Sequence, residues 1–252
     1  MRRTPLLVSV VVCVATSAAC DGATEAPPSR VTLPLSMSGS AATGIENEHG
    51  YVVDVTRAQM HVGPIRFFEG DVVLGDARSS HKRARDLPQE LIDAVLGMPT
   101  ALAHPGHYTE GDAKGEWLDD AVVDLLAGDT ALGDVDGVTG HHGSASIGFS
   151  NSDALDGAAI VVEGVAHKDG VDIAFRGSLS KDAAVEGIDV RAEVSDAGGA
   201  DHIEVNFGEL VKKIDFAQVG DGGGLVADTQ PFNAFERGCD STLAYTFTFT
   251  EK

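Results

Sequence analysis

Cysteine is nearly absent from this chain: Cys13, Cys20 and Cys239 are the three present in 252 residues. Three thiols cannot build a disulfide framework, so a fold of this size has to be held by its apolar core. Positive charge is also in short supply, with 18 Lys and Arg against 39 Asp and Glu and a net charge of -21. A surface so acidic repels phosphate backbones and excludes a nucleic-acid partner, while it concentrates cations nearby. Aromatic residues make up 6 % of the chain, with a single tryptophan. The most apolar run, Leu6 to Ala15, is too short to cross a bilayer. There is no His-Glu-x-x-His, no Gly-x-Ser-x-Gly and no phosphate-binding Gly-rich loop with its lysine. The expectation is a protein that is not an enzyme.

The N-terminus carries an address. Met1-Arg2-Arg3 is a short basic start, Leu6 to Ala15 (LLVSVVVCVA) is apolar, and small residues lead to Ser17-Ala18-Ala19-Cys20. That is the layout of a secretory signal. The small residues ending in cysteine resemble the lipobox of bacterial lipoproteins. The resemblance implies that Cys20 is the lipidated first residue of the mature chain. Ser17 stands where that motif usually carries leucine, so ordinary cleavage near Ala18 or Ala19 is the alternative. The expected organisation is a signal peptide over 1–19, a tether over 20–30 (Asp21 to Arg30, DGATEAPPSR) and one domain over 31–252. The expected location is outside the cytoplasm, anchored by lipid to a bacterial membrane and facing the periplasm or cell surface. Cys13 would leave with the signal and Cys20 would carry lipid. Cys239 then has no partner and reads as a small buried hydrophobe.

From Val31 onward the pattern is that of strands and turns. Val31 to Leu35 alternates, with Pro34 marking an edge or bulge. Tyr51 to Phe68 is β-branched and aromatic-rich and reads as two strands broken at Gly63-Pro64. Asp71 to Leu74 reads as a short further strand, Gly128 to Gly140 as a Gly- and Asp-rich loop, and His141 to Ser150 as an alternating strand. Ala158 to Ala166 and Val171 to Leu179 form a hairpin across His167-Lys168-Asp169-Gly170, where glycine takes the positive φ of the turn. Glu209 to Phe216 has helical spacing, and Leu243 to Thr250 (LAYTFTFT) alternates again. The fold class expected is all-β: an antiparallel two-sheet sandwich of Ig-like or Greek-key type, with short helices and one long loop insertion at about 75–115.

The insertion holds the densest coordinating chemistry, His104-Pro105-Gly106-His107-Tyr108-Thr109-Glu110. Imidazoles three apart on an irregular segment can converge on one cation, and Glu110 or Glu116 can add oxygen donors. His141, His142 and His61 are the candidates for a second half of the site. Adjacent strand residues face opposite ways, so only one of His141 and His142 would join it. Zinc or copper suits this nitrogen and carboxylate set better than calcium. The competing reading has these residues as solvated loop histidines around a Pro-Gly turn. Asp134-x-Asp136-Gly137 lacks the spacing of a calcium loop and reads as a turn, and His81-Lys82-Arg83-Ala84-Arg85 reads as a solvated basic run.

The succession "VVDLL", a Gly-rich turn, "GSASIGF", the "VVEGVAHKDGVDIAF" hairpin and a closing aromatic strand resembles bacterial periplasmic β-sandwich lipoproteins. The copper-associated family of methanobactin-partner (MbnP-like) proteins is among these. The resemblance implies a periplasmic or surface role in metal binding and transfers no residue. Two functions follow: capture or delivery of a zinc or copper ion, or a metal-free surface module that binds a protein or glycan partner.

Overall fold

The computed structural model describes residues 27–72 and 110–252. Twelve strands lie among them: β1 Arg30–Gly39, β2 Ile45–Glu46, β3 Val52–Phe68, β4 Ala113–Trp117, β5 Ala121–Asp124, β6 Thr130–Val138, β7 Gly140–Phe149, β8 Ile160–Lys168, β9 Val171–Leu179, β10 Ala183–Val194, β11 Gly199–Val205 and β12 Tyr245–Glu251. Two short helices, α1 Phe207–Val211 and α2 Gln230–Cys239, complete the fold. It is all-β and sandwich-like, as the strand and turn spacing predicts.

The strands hydrogen-bond in the order β10-β7-β3-β4-β6-β1-β11-β12, with β8 and β9 continuing from β3, and β2 and β5 also pairing with it. The sheet curls until its two ends, β10 and β12, lie alongside each other. Pairing between these strands is antiparallel except for β1 and β11, which run parallel. Across the interior, Phe67 of β3 meets Phe247 of β12 edge to face at 5.5 Å, and Phe149 of β7 meets Tyr245 at 5.9 Å. Each such fully buried ring stabilises the fold by about 1.5–3 kcal/mol through burial.

The structure departs from the sequence expectation in particular places. Val52–Phe68 is one continuous strand, because Gly63, at φ 133°, absorbs a register shift against β7 instead of ending the strand. Pro34 sits where β1 is paired with β6 but not yet with β11, next to a bulge at Leu35/Ser36. The Gly- and Asp-rich stretch expected as a loop contains strand β6. Val135 fills the core while Asp134 and Asp136 point outward, so those aspartates form neither a turn nor a calcium loop. Asp71 and Val72 lie outside any strand, so the short strand expected from Asp71 does not begin there.

The long strand β3 runs from one pole of the domain to the other. At its start, Tyr51 packs on Phe216, and Asn47 donates to the Ile214 carbonyl while accepting from the amides of His49 and Tyr51. The helices sit at this pole, α1 capped by Asn206 and α2 opened by a proline in its first turn. Cys239, at the end of α2, is wholly buried, as a lone small hydrophobe should be. Burial pushes its thiol far above the ordinary range, which leaves it unreactive. At the opposite pole β3 ends at Phe68 and the chain departs into the insertion.

Candidate functional site

The described chain leaves the domain at Asp71 and returns at Glu110, and these two points are tied together. The Gly70 amide donates to the Glu110 carbonyl at 2.9 Å, and the Glu69 amide donates to the Asp112 carbonyl at 2.9 Å. The closed root lies against β7, held by a hydrogen bond from the Ser144 hydroxyl to the Gly70 carbonyl. Gly143 makes the approach possible. A Cβ there would stand 2.7 Å from the Asp71 carboxylate and from the carbonyl oxygens of Glu69 and Gly70. His141 and Gly143 are therefore next to the point where the insertion begins.

His141 is the centre of this root. Its Nδ1 lies 2.6 Å from Glu193 Oε1 and its Nε2 lies 2.7 Å from Asp71 Oδ1. Carboxylates only accept hydrogen bonds, so acids on both sides favour the doubly protonated ring. Hydrogen bonding to Asp71 first, and to Glu193 second, raises its pKa above the ordinary histidine value. The register of β10 on β7 sets Glu193 directly opposite His141. Asp71 arrives from the other side, on the segment after β3.

The remaining candidates separate. His104 and His107 lie outside the described residues, six and three positions ahead of Glu110 in the chain. The backbone of Glu110 closes the root. His142 is buried against the Phe67 ring at 5.8 Å, and its Nε2 donates to the Val138 carbonyl at 2.9 Å. Burial lowers its pKa, so the ring is neutral and committed to the interior. It does not join His141.

His61 is displaced further. Its Nδ1 meets Ser150 at 3.0 Å, at the far end of β7, and its Nε2 is 3.6 Å from Asp120. The strand from His141 to Ser150 spans roughly 30 Å at about 3.3 Å per residue. Glu116 stands on the other side of β3, opposite Arg66 at 3.9 Å. Strand register therefore keeps His61 and Glu116 away from His141, and the inward facing of His142 keeps it away as well. The alternation that marks these residues as surface or core gives no distance along a strand.

Asp71 and Glu193 carry no motif and were not among the expected ligands. Pairing β10 with β7 in the correct register would have exposed Glu193, but register is not readable from either strand alone. Among the described residues no three His, Cys, Asp or Glu side chains converge on one point able to hold a metal ion. In the root, His141 Nε2 and Asp71 Oδ1 face each other, and Glu193 holds the other side of the ring.

No family model and no curated protein matches this sequence. Among solved structures, MbnP from Methylosinus trichosporium is similar, with 11 % sequence identity and a TM-score of 0.41, over 88 % of this chain and 99 % of that one. At that distance the site has to be read from this chain's own residues.

Proposed function

We propose that this protein is exported, anchored by lipid at Cys20, and binds a transition-metal ion at the root of its insertion for capture or delivery. The observation that carries the reading is the placement of His141 between Asp71 and Glu193, beside the point where the insertion returns. A metal-bound histidine characteristically has its second nitrogen held by a carboxylate, which orients the ring and raises its basicity. Glu193 can do this for Nδ1, and metal binding would displace the Nε2 proton and open the 2.7 Å contact with Asp71, so that nitrogen and carboxylate both turn to the ion. His104 and His107 supply the other half of the donor set, with Glu110 as a further oxygen donor. Nitrogen and carboxylate donors suit Zn²⁺ or Cu²⁺. Soft sulfur ligands are missing from the described surface, because Met37, Met60 and Cys239 are all buried in the core. The acidic surface would raise the local concentration of cations.

The test is metal content. The purified mature domain, loaded with zinc or with copper(II) and dialysed, should retain metal, and a His104→Ala/His107→Ala variant should lose most of it. Equal retention by both proteins would defeat the assignment. Anchoring has its own test: Cys20→Ala should move the protein from the membrane fraction to the soluble fraction. Unchanged fractionation would count against lipidation.

A second reading, a metal-free module that binds a partner protein, is favoured by one observation. His167 is held in the same way, 2.8 Å from Asp172 and 3.5 Å from Asp54, on the β8–β9 hairpin. A histidine between two acids therefore also occurs away from the insertion as a plain cross-strand tie. A glycan partner has less support, since the exposed large hydrophobic residues among those described include no aromatic ring on which a sugar could stack.

A further inference from the structure

Asp201 breaks the alternation of β11. It occupies a core-facing position in line with Ile203 and Val205 and is 3 % exposed. In register it lies between Leu35 of β1 and Phe249 of β12. Its Oδ2 is buried and has no hydrogen-bond partner among the described residues. A carboxylate left in that state bears the full cost of desolvation, whereas a neutral carboxylic acid does not.

We propose that Asp201 is a buried proton-binding site that makes the seating of the C-terminal strand β12 depend on pH. This edge strand hydrogen-bonds only to β11 and becomes exposed toward its end. The Phe249 ring covers the Asp201 side by packing onto the bare Cα of Gly199, where a Cβ would stand 2.4 Å from the ring. The strand end is tied down by the Ser195 hydroxyl donating to Glu251 at 2.7 Å, and more loosely by the Lys252 amide donating to the Gly198 carbonyl at 3.4 Å. An ionised Asp201 reaches solvent most directly by lifting Phe249 and this short end.

Burial pushes the Asp201 carboxyl up to about 7, and no titratable group on β1, β11, β12 or the elements packed on them contributes to the shift. The sign follows from linkage. The folded pKa lies above the unfolded value of about 4, so the unfolded chain gives up its proton first as the pH rises. Stability associated with Asp201 is therefore complete below about pH 4, falls between about pH 4 and pH 7, and stays low above that.

The experiment is amide hydrogen exchange of Thr248, Phe249 and Thr250 in the full domain at pH 5 and pH 8, corrected for intrinsic exchange, for wild type and Asp201→Asn. Wild type should lose protection by up to about a hundredfold at pH 8, the factor that folded and open values of about 7 and about 4 imply between these two pH values. Asp201→Asn, which matches the shape of the neutral acid, should keep its protection at both values. Wild-type protection that does not change with pH, or the same loss in Asp201→Asn, would overturn the proposal. If Asp201→Asn does not fold, a carbon-13 titration of the wild-type carboxyl decides: a midpoint near the ordinary aspartate value overturns it, and one near neutrality sustains it.

Discussion

Replacing Phe67 with alanine should destabilise the domain by about 3–5 kcal/mol, as removal of a fully buried aromatic side chain does. Phe67 has no exposure, meets Phe247 edge to face, and lies against the His142 ring. It therefore joins the two layers of the sandwich one residue before β3 ends at the root. Its removal leaves a cavity bounded by β7 and β12, neither of which can close in without breaking register. Chemical denaturation of both proteins measures the loss, and a cost under about 1 kcal/mol would mean that the layers are not held as described.

Gly143→Ala should have its effect at the root. Two of the three atoms that the new methyl group would strike at 2.7 Å are the carbonyl oxygens of Glu69 and Gly70, and these cannot swing aside as a side chain can. The segment 69–71 must move off β7, weakening the Ser144 hydrogen bond and separating Asp71 from His141. Overpacking of this kind typically costs about 1–3 kcal/mol. Gly220→Ala is the control, since nothing lies within 4 Å of the methyl group it would add. Denaturation midpoints and imidazole nitrogen shifts should change for the Gly143 variant and not for the control. An unperturbed His141 in Gly143→Ala would show that the root does not lie against β7 as described.

Local residue patterns made much of the fold legible. The β8–β9 hairpin falls where Asp169-Gly170 predicts it, and both turn residues take positive φ. The closing strand buries Tyr245 and Phe247 as its alternation requires. Stretches whose local composition opposes their final state were not legible. Strand β6 (TALGDVDGV) looks like a loop because glycine and aspartate dominate it, yet pairing with β4 on one side and β1 on the other makes it central. Helix α2 is not among the predicted elements, although Pro231 in its first turn and Arg237 in its last are ordinary helix signals.

The candidate site was legible by residue type and not by distance. His141 could be picked out as an imidazole at a strand start, and Glu110 as an acid beside the histidine pair. That His61 belongs to the other end of β7, and that Glu193 belongs beside His141, depends on pairing between strands far apart in sequence. A period of two residues tells which face a side chain occupies but not where along the sheet it lies. The same limit hid Asp201, whose burial follows from the parallel pairing of β11 with β1.

On the proposed function, His141 is the ligand that the folded sheet contributes to a metal site at the insertion root. A zinc titration of the nitrogen-15-labelled domain, followed on the imidazole nitrogens, tests it most directly. His141 Nε2 should shift to the value of a metal-bound nitrogen while His61 and His167 stay in place. A His141 signal unchanged at saturating zinc would contradict the claim.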